Sequence, residues 1–480
     1  MSLIKICLIQ RGYYIMKRGY LQVKIFIMNF TKTIFKAYDI RGLVQGELSK
    51  ELAYQIGRSF PVLLQEKGTD STNKKLVVGY DMRASSQEYY PEVIRGLNDA
   101  GISVVNIGLS STPLFNFACA HYPEHAGGIM VTASHNPAEY NGFKLTLGDG
   151  LPIGKNNGMS RLAELVNMTY VVSGGGQAKT EEKNVLKDYM DRVLGLVPRS
   201  SLKPLKIVVD AGNGMAKVTL PEILKQLPVE VEYLYLEPDG NFPNHEANPL
   251  KVETLKDLQA KVLETKADFG FALDGDADRV GLVDNQGQVV PASFVGGLVG
   301  LEVLRSKPGS TLLYDLRMSR AVKEIWEKNG GQTQMCPVGH ANIKAFMKER
   351  KAVFAAELSL HLYYGDMYDV ESSDLSLLYI LKILSESNKK LSELWPVMNT
   401  KFHSGEINFE VEDKEIILQK LKTKYSDAVI SDLDGLTFTY PNFWFNVRGS
   451  NTEPLLRLNL EADDEATMQE KIKEVKKIIQ

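Results

Sequence analysis

The sequence predicts an α/β protein of several domains that ends in a smaller α+β domain. Apolar, strand-like runs alternate with helix-like segments, which is the pattern of α/β units; the runs are KLVVGY, ISVVNIG, KIVVDAGNG, VEVEYLYL, DFGFALDG and STLLYDL. The chain has 480 residues, of which 44% are hydrophobic, and this length suits roughly three or four domains of ordinary size. After residue 396 the pattern changes to closely spaced strands with two helices, which indicates the α+β domain.

Changes in composition and the positions of proline place the domain boundaries. A polar tract after SGGGQ puts the first boundary near residue 179, and the end of an acidic loop puts the second near residue 285. Pro396 would end a helix-like segment and marks the third boundary. The predicted units are residues 1–27, 28–179, 180–285, 286–396 and 397–480. In the last unit we predict a terminal helix, a helix at 414–425, and strands at 407–411, 436–440, 443–447 and 455–460.

The first 27 residues form an N-terminal extension. They contain no acidic residue and several basic ones, namely Lys5, Arg11, Lys17, Arg18 and Lys24. These charges interrupt the apolar runs, so the segment makes a poor signal-peptide core. We interpret it as an extension upstream of Met28, a candidate start, and the alternative is a basic segment that lies on a membrane surface.

Composition argues against several classes of function. Basic and acidic residues, 56 and 59 in number, are nearly balanced and mixed, which argues against a nucleic-acid partner. Cys7, Cys119 and Cys336 are too few and too scattered for a disulfide framework or a zinc site, so we expect a reducing cytoplasm. The sequence contains no run of about 18 uninterrupted apolar residues, so it does not predict a membrane span. The oligomeric state, monomer or dimer, stays undetermined.

The LDGDADR segment at 273–279 follows the apolar end of a predicted buried strand. Its carboxylates, Asp274, Asp276 and Asp278, alternate in a tight loop and would repel one another without a cation between them. An EF-hand calcium loop is excluded, because the sixth and twelfth loop positions hold Arg and Asn where that motif needs Gly and Glu. Magnesium, which needs few protein oxygens, fits the spacing better, and the alternative is a solvated acidic loop.

The VTASHNP segment at 131–137 follows the apolar run GGIMV and places Ser134 in a small polar turn that ends in proline. Such a turn can present a hydroxyl to solvent or to a metal-bound phosphate. A Ser-His pair alone is most often a turn or capping arrangement, and no GxSxG elbow supports a hydrolase triad. Together, VTASHNP, LDGDADR and the late RGSNTEPLLR closely resemble the α-D-phosphohexomutase superfamily, in its phosphomannomutase/phosphoglucomutase branch.

This resemblance implies three related α/β domains and a smaller C-terminal α+β domain around a central cleft. In chain order they would be the phosphoserine domain, the metal-binding domain, the sugar-binding domain and the phosphate-binding domain. The serine would carry a phosphoryl group against a magnesium ion, and the implied metal ligands are Ser134, Asp274, Asp276 and Asp278.

Further motifs extend the resemblance over most of the chain from about Phe35. AYDIRG, VGYDMRASS, NGFK and VGHANIK all match; in the second of these, Arg83 and Ser85 are interpreted as scaffold. The catalytic residues that the resemblance implies are Ser134, Arg41, His135, Lys144, Arg279 and His340. Tyr38, from the first motif, is expected to bind substrate.

The loop expected to recognise the sugar departs from the family pattern. Relatives read GE-x-SGH, whereas this chain has AELSLH at 356–361, so the expected substrate-binding residues Glu357, Ser359 and His361 persist while both glycines are replaced. If the position of Leu360 has positive φ, the leucine is strained or the loop takes another path. We expect Leu360 to cover one face of the sugar or to pack against a neighbouring domain.

The loop expected to bind the non-transferring phosphate is RGSNTEPLLRL at 448–458. It has Asn where relatives more often have Gly, a mild departure because Asn tolerates left-handed backbone. Guanidinium, hydroxyl and backbone donors there suit an anion. The implied phosphate-binding residues are Arg448, Ser450, Asn451, Thr452 and Arg457.

The function implied is that of a phosphohexomutase, which interconverts the 1-phosphate and 6-phosphate of mannose, glucose or both. Phospho-Ser134 would donate its phosphoryl group and give a hexose 1,6-bisphosphate, which serves as intermediate and activator. Phosphoglucosamine mutase is the neighbouring alternative. A metal-dependent serine phosphomonoesterase and a non-catalytic sugar-phosphate sensor are alternatives from other classes.

Overall fold

The structure is a computed structural model that describes residues 30–69, 74–168, 178–449 and 455–480, together with the backbone of three short N-terminal strands. Those strands pair antiparallel in the order β1-β2-β3 and are β1 (Ile6–Ile9), β2 (Gly12–Ile15) and β3 (Lys24–Ile25). The rest of the predicted N-terminal extension lies outside the described residues.

The first α/β domain is built on a six-stranded sheet. Its elements are β4 (Ile40–Leu43), α1 (Lys50–Glu66), β5 (Lys75–Tyr80), α2 (Ala84–Asp99), β6 (Val104–Leu109), α3 (Thr112–His121), β7 (His125–Val131), β8 (Tyr140–Leu147), α4 (Met159–Val166) and β9 (Thr180–Glu182). The order is β4-β8-β7-β5-β6-β9, in which β6, β5 and β7 are parallel and β8 is antiparallel to β7. β9 lies beyond the boundary predicted near residue 179, but it pairs with β6 and extends this sheet.

Helices α1 and α2 pack closely on that sheet. Ser49 caps α1, because its side chain accepts a hydrogen bond from the backbone N–H of Leu52 at 3.1 Å. Glycines permit the close approach of the two helices: a Cβ at Gly57 would lie 2.3 Å from the carbonyl oxygen of Val93, and Gly96 meets α1 in the same way. The buried faces of both helices join the strands in one hydrophobic cluster, which fixes the sheet behind the loops described below.

The second domain repeats the core of the first sheet. Its elements are α5 (Leu186–Leu196), β10 (Leu205–Asp210), α6 (Leu220–Leu224), β11 (Val229–Leu234), α7 (Lys256–Thr265), β12 (Phe269–Leu273), β13 (Val280–Asp284) and β14 (Val289–Val290). The strand order is β11-β10-β12-β13-β14, with β11, β10 and β12 parallel and β13 antiparallel to β12. β14 follows the boundary predicted near residue 285 and still pairs with β13, so it belongs to this sheet.

The third domain has the same strand order again, β16-β15-β17-β18-β19. Its elements are α8 (Ala292–Ser306), β15 (Thr311–Asp315), α9 (Arg320–Lys328), β16 (Gln332–Cys336), α10 (His340–Arg350), β17 (Phe354–Ala356), β18 (Leu362–Tyr364), β19 (Val370–Glu371), α11 (Ser373–Ser387) and α12 (Leu391–Leu394). If strands are counted from β5, β10 and β15, the second, first and third strands of each sheet are parallel and the fourth is antiparallel. The three domains are therefore related, as the family resemblance implied.

The fourth domain is the smaller α+β domain that the sequence predicts. Its elements are β20 (Phe402–Glu410), α13 (Lys414–Lys424), β21 (Val429–Ser431), β22 (Leu436–Thr439), β23 (Phe443–Gly449), β24 (Leu455–Ala462) and α14 (Glu465–Ile479). The antiparallel sheet has the order β20-β24-β23-β22-β21, and β21 is a strand that the sequence reasoning did not predict. Within the part of the chain that the structure describes, no helix has the length and apolar character needed to cross a membrane.

Candidate active site

The three α/β domains each contribute the same turn to one site, the turn between the third and fourth strands of the sheet. In the first domain this turn joins β7 to β8 and carries Ser134; in the second it joins β12 to β13 and carries residues 274–279; in the third it joins β17 to β18 and carries residues 357–361. Hydrogen bonds tie the turns together: Ser134 Oγ donates to Asp274 Oδ2 at 2.9 Å, and the Val280 N–H donates to the Leu360 carbonyl at 3.0 Å. Equivalent positions of three sheets therefore meet at one point.

Ser134 is held in a left-handed backbone conformation, with φ of 52°, and is 2% exposed. The guanidinium of Arg83 fixes the turn from behind, because Nη2 donates to the carbonyls of Ser134 and Asn136 and Nη1 donates to those of Pro137 and Tyr140. These bonds span 2.6 to 2.9 Å. Arg83 itself is buried and acts as the scaffold that the sequence predicts.

The three aspartates of the second turn form a buried cluster. One carboxylate oxygen of each lies within 4.8 Å of the others, in Asp274, Asp276 and Asp278. The turn is closed by the Asp274 carboxylate, which accepts the backbone N–H groups of Asp278 and Arg279 at 3.0 and 3.1 Å. Ala277 lies between the second and third aspartates with φ of 59°, which turns consecutive carboxylates toward the same point.

Charges in this cluster are unevenly balanced. The Lys144 ammonium lies 2.6 Å from one oxygen each of Asp276 and Asp278, and Arg279 Nε lies 3.8 Å from Asp274. Burial, together with the two neighbouring carboxylates, raises the pKa of Asp274 well above its usual value. Burial would also raise the pKa of Asp278, but Lys144 and His361 outweigh it and hold that pKa well below its usual value. Lys144, Arg279 and His361 all lie beside the cluster. Burial and the repulsion among the carboxylates nevertheless keep the pKa of Asp274 raised, so a further positive charge beside Asp274 would be favourable.

The donor set of the cluster fits a hard divalent cation. All three ligands are carboxylate oxygens, and among the described residues Asp276 Oδ1 is buried without a hydrogen-bond partner. The Ser134 hydroxyl adjoins the cluster through its bond to Asp274. A small hard cation such as magnesium takes a few such oxygens and completes its shell with water or phosphate.

The third turn is a three-residue hairpin that presents Glu357 and His361. The Leu360 N–H donates to the Glu357 carbonyl at 3.0 Å, and Leu360 adopts φ of 71°. Of the two outcomes expected for this position, strain or another path, the structure has strain. The Leu360 side chain is 5% exposed and is not among the residues that line the cleft, so it does not cover a sugar there.

His361 connects the third turn to the aspartate cluster. Its Nε2 lies 3.1 Å from Asp278 Oδ1, and its Nδ1 lies 3.1 Å from Glu357 Oε2 and 2.9 Å from Ser359 Oγ. Burial lowers the pKa of His361, but the two carboxylates outweigh burial and raise it to about 9. Both ring nitrogens therefore face acceptors and carry protons at neutral pH.

A cleft of about 300 Å³ opens beside these turns. Residues from the first, second, third and fourth domains line it, namely Lys36, Ala37, Tyr38, Asp39, Arg279, Arg317, Val338, Gly339, His340, Glu357, Ser359, His361, Arg448 and Arg457. The Tyr38 hydroxyl donates to the Val338 carbonyl at 3.0 Å, and its ring lies 5.4 Å from that of His340 in an edge-on contact. Burial and the nearby Lys344 and Lys144 hold the pKa of His340 well below its usual value, so its imidazole is neutral.

The remaining predicted site residues lie at the edges of this arrangement. Arg41 donates to Asp39 Oδ2 at 2.7 Å and to Asn136 Oδ1 at 2.6 Å, which places it beside the serine turn. His135 Nδ1 lies 3.1 Å from Ser134 Oγ, and burial together with two arginines lowers its pKa well below the usual value. Lys344, the lysine of the VGHANIK motif, is buried and lies 2.6 Å from Glu371 Oε2.

The phosphate-binding loop is described only in part. Arg448 and Arg457 line the cleft from neighbouring strands of the fourth domain. The predictions for Ser450, Asn451 and Thr452 fall outside the described residues.

Two further residues belong to this site, Arg317 and Glu406, and the sequence reasoning did not single them out. Arg317 lines the cleft and lies 3.4 Å from Glu357 Oε1. A repeat in the sequence could have indicated Arg317. The segment YDLR at 314–317 repeats YDMR at 80–83, and the two segments stand at the ends of β15 and β5, respectively. In both copies the arginine N–H groups donate to the preceding aspartate.

Comparison with known proteins finds matches along most of the described chain. Family models for the phosphoglucomutase/phosphomannomutase α/β/α domains I, II and III match residues 32–170, 187–287 and 294–400, and the model for the C-terminal domain matches residues 406–478. The chain belongs to the phosphoglucomutase/phosphomannomutase family. This confirms the resemblance seen in the sequence and the four-domain fold that it implied.

Individual relatives of this family cover nearly the full chain. A phosphomannomutase of Methanocaldococcus jannaschii is 40% identical over 93% of this chain and 97% of its own length. A phosphomannomutase/phosphoglucomutase of Pseudomonas syringae is 37% identical over 91% of this chain and 93% of its own. Among solved structures, a phosphoglucomutase/phosphomannomutase family protein from Burkholderia thailandensis superposes with a TM-score of 0.84 at 32% identity, covering 94% of this chain and 97% of that one.

Proposed function

We propose that this chain is a phosphohexomutase that interconverts the 1-phosphate and 6-phosphate of mannose, glucose or both. The observation that carries the proposal is the 2.9 Å hydrogen bond from Ser134 Oγ to Asp274 Oδ2, which places a hydroxyl at the edge of the acidic cluster. A phosphoryl group on that hydroxyl would have cationic groups around its oxygens. The names of the relatives, phosphomannomutase and phosphomannomutase/phosphoglucomutase, support the same class of reaction.

Magnesium is the cation that we propose for the acidic cluster. Its protein ligands would be Asp274, Asp276 and Asp278, with a phosphate oxygen on Ser134 as the fourth group. The raised pKa of Asp274 and the buried Asp276 Oδ1, which has no hydrogen-bond partner among the described residues, support this choice. When bound, the ion supplies positive charge that stabilises the phosphoryl group during transfer.

The first half-reaction transfers the phosphoryl group from Ser134 to the free hydroxyl of a hexose monophosphate. The sugar oxygen forms a bond to phosphorus as the bond from phosphorus to Ser134 Oγ breaks. The sugar hydroxyl loses one proton, and the leaving Ser134 Oγ takes up one proton from solvent, which restores the serine hydroxyl. We assign the proton of the sugar hydroxyl to His340, because this imidazole is neutral and lines the cleft, whereas His361 already carries a proton. Lys144, Arg279 and Arg41, which lie beside Ser134 or the aspartate cluster, would balance the charge of the phosphoryl oxygens.

The second half-reaction requires the resulting hexose 1,6-bisphosphate to turn around. Its other phosphate is then returned to Ser134, and the isomeric monophosphate leaves. Glu357 and Ser359 would bond adjacent sugar hydroxyls in both poses, while Arg448, Ser450, Asn451, Thr452 and Arg457 grip the phosphate that stays in place. Recognition that does not depend on the O2 hydroxyl explains how both mannose and glucose phosphates fit.

We also propose that the enzyme works in the cytoplasm. Cys119 and Cys336 are buried free thiols, which agrees with a reducing compartment.

A coupled assay with purified protein tests the proposed function. Mannose 1-phosphate, glucose 1-phosphate and glucosamine 1-phosphate are each supplied with magnesium, with and without the matching 1,6-bisphosphate. We expect isomer formation with the first two substrates, stimulation by bisphosphate, and a phosphorylated Ser134 peptide in mass spectra. Release of inorganic phosphate in place of an isomer would identify a phosphomonoesterase, and a preference for the third substrate would identify a phosphoglucosamine mutase.

A further inference from the structure

The sheet of the fourth domain has one apolar and one polar face. Alternate residues of β24 point to opposite faces: Leu456, Leu458 and Leu460 are buried in the cluster formed with α13 and α14. Arg457 and Asn459 point the other way, toward the cleft side. The cleft arginines therefore stand on a sheet face that no helix of this domain covers, and their positions depend on neighbouring polar side chains.

The two cleft arginines of this face are direct neighbours across the sheet. Arg448 of β23 pairs in register with Arg457 of β24, so their guanidinium groups start from directly opposed Cα atoms. Like charges directly opposite each other in a sheet are destabilising. A third guanidinium, that of Arg317, lines the same cleft from the third domain. Such a cluster needs a counter-ion to hold its members in fixed places.

Glu406 of β20 is in the position of that counter-ion. Its Oε2 accepts a hydrogen bond from Arg448 Nη2 at 2.9 Å, and its Oε1 lies 3.4 Å from Arg457 Nη1. Each carboxylate oxygen thus faces a different arginine. Burial would raise the pKa of Glu406, but Arg448, Arg317 and Arg457 outweigh burial and lower it, so the carboxylate stays charged at neutral pH.

The carboxylate lies beside the cleft and does not line it. Glu406 is absent from the residues that line the 300 Å³ cleft, whereas all three arginines are among them. Asn459 Nδ2 adds a contact to Glu406 Oε2 at 3.4 Å, on the side of the carboxylate next to the sheet. An incoming phosphate in the cleft would therefore meet the arginines, and it would not need to displace the Glu406 carboxylate.

We propose that Glu406 is a positioning residue, which spaces and orients Arg448 and Arg457 so that the anion-binding site is formed before substrate arrives. This inference rests on the proposed function, because it identifies what prepares the site for the non-transferring phosphate of a hexose phosphate. It predicts that loss of the carboxylate weakens binding even though the carboxylate itself repels phosphate.

Binding of glucose 6-phosphate to the full-length protein, measured by isothermal titration calorimetry, tests this inference without requiring turnover. The variants are Glu406→Gln, which keeps the size and removes the charge, and Glu406→Asp, which keeps the charge with a shorter reach. Glu412→Gln is the matched control, since Glu412 is exposed two residues beyond the end of β20. Thermal unfolding of each variant reports on folding.

We expect the dissociation constant of Glu406→Gln for glucose 6-phosphate to rise about tenfold or more, because the charge-assisted bonds from Glu406 to the arginines of the phosphate site are lost. Glu406→Asp should recover part of the affinity, and the control should bind as the unchanged protein does. In the mutase assay KM should rise more than kcat falls. Unchanged or tighter binding by Glu406→Gln would overturn the inference, because tighter binding means that the carboxylate competes with phosphate. Wild-type protein that binds but does not isomerise would instead overturn the proposed function alone.

Discussion

Replacing Arg83 with lysine should disable the serine turn while keeping the positive charge. The Arg83 guanidinium is 1% exposed and donates to Asp81 Oδ2 and to four carbonyl groups of the turn. A guanidinium reaches these acceptors through a rigid planar fork, whereas an ammonium is a compact group with three hydrogens. At least two of the five acceptors would therefore lose their donor.

The expected cost follows from those lost bonds. A buried acceptor left without a partner costs about 1 to 3 kcal/mol, so two of them cost about 2 to 6 kcal/mol. The turn stores strain as well, because Ser134 has φ of 52°, and a left-handed L-residue costs roughly 1 to 2 kcal/mol. When some of the four carbonyl bonds are lost, this strain favours relaxation of Ser134 away from Asp274.

Two measurements check this prediction for Arg83→Lys. Phosphorylation of Ser134 by hexose 1,6-bisphosphate, followed by intact mass, should slow by at least about a hundredfold, the effect of a displacement near 1 Å on a reacting group. Arg95→Lys is the control. Arg95 is exposed, and within the described part of the chain its side chain hydrogen-bonds only to Glu92. A lysine variant that is phosphorylated at the wild-type rate with an unchanged melting temperature would refute the role given to Arg83.

Three further predictions concern the metal, the strained leucine and a buried acid. Asp276→Asn should raise the magnesium concentration that gives half-maximal rate at least about tenfold. Mutation even of a residue that only hydrogen-bonds to a metal ligand changes metal affinity about 10- to 100-fold. Full activity of enzyme treated with a chelator would contradict this prediction. Leu360→Gly should destabilise the fold by about 1 to 3 kcal/mol in urea titrations, because lost burial outweighs relief of strain; a stabilised variant would contradict it. Burial raises the pKa of Asp374 to about 6, whereas the same carboxyl group in the unfolded state releases its proton near pH 4. The free energy of unfolding should therefore fall by about 3 kcal/mol as the pH rises from about 4 to about 6. Asp374→Asn should remove this slope, and equal slopes in both proteins would contradict the assignment.

Local sequence was enough to predict the domain class and most strands, but not where each sheet ends. KLVVGY, KIVVDAGNG, DFGFALDG and STLLYDL all contain observed strands, because buried parallel strands are continuous apolar runs. Thr180–Glu182 and Val289–Val290 lie beyond the predicted boundaries, and only their pairing with β6 and β13 assigns them to a sheet. The first of these is a polar, exposed segment with no strand signal of its own.

Site residues were predictable where a motif carries them and not where packing alone does. Ser134 and the aspartates stand in motifs, and the structure places Ser134 one hydrogen bond from Asp274, a member of the aspartate cluster. Glu406 lies in a strand of mixed polarity, and its role depends on Arg448 and Arg457, which reach it through sheet register. Register between distant strands cannot be read from local sequence, so Glu406 was not found.

Backbone strain in the corresponding turns of the three α/β domains helps to fix the positions of the site residues. The turn between the third and fourth strands contains a left-handed residue in each α/β domain, and each is other than glycine: Ser134 with φ of 52°, Ala277 with 59° and Leu360 with 71°. Such conformations persist only where surrounding structure determines them.

In all three turns a neighbouring element holds the carbonyl of the strained residue. Arg83 Nη2 donates to the Ser134 carbonyl at 2.9 Å, Ser373 Oγ to the Ala277 carbonyl at 2.6 Å, and the Val280 N–H to the Leu360 carbonyl at 3.0 Å. The second and third of these donors come from a different domain than their acceptor. Leucine is thus tolerated where the family resemblance implied glycine, because the backbone is fixed from outside the turn. The same bonds make the alignment of serine, aspartates and sugar loop depend on how the domains are packed together.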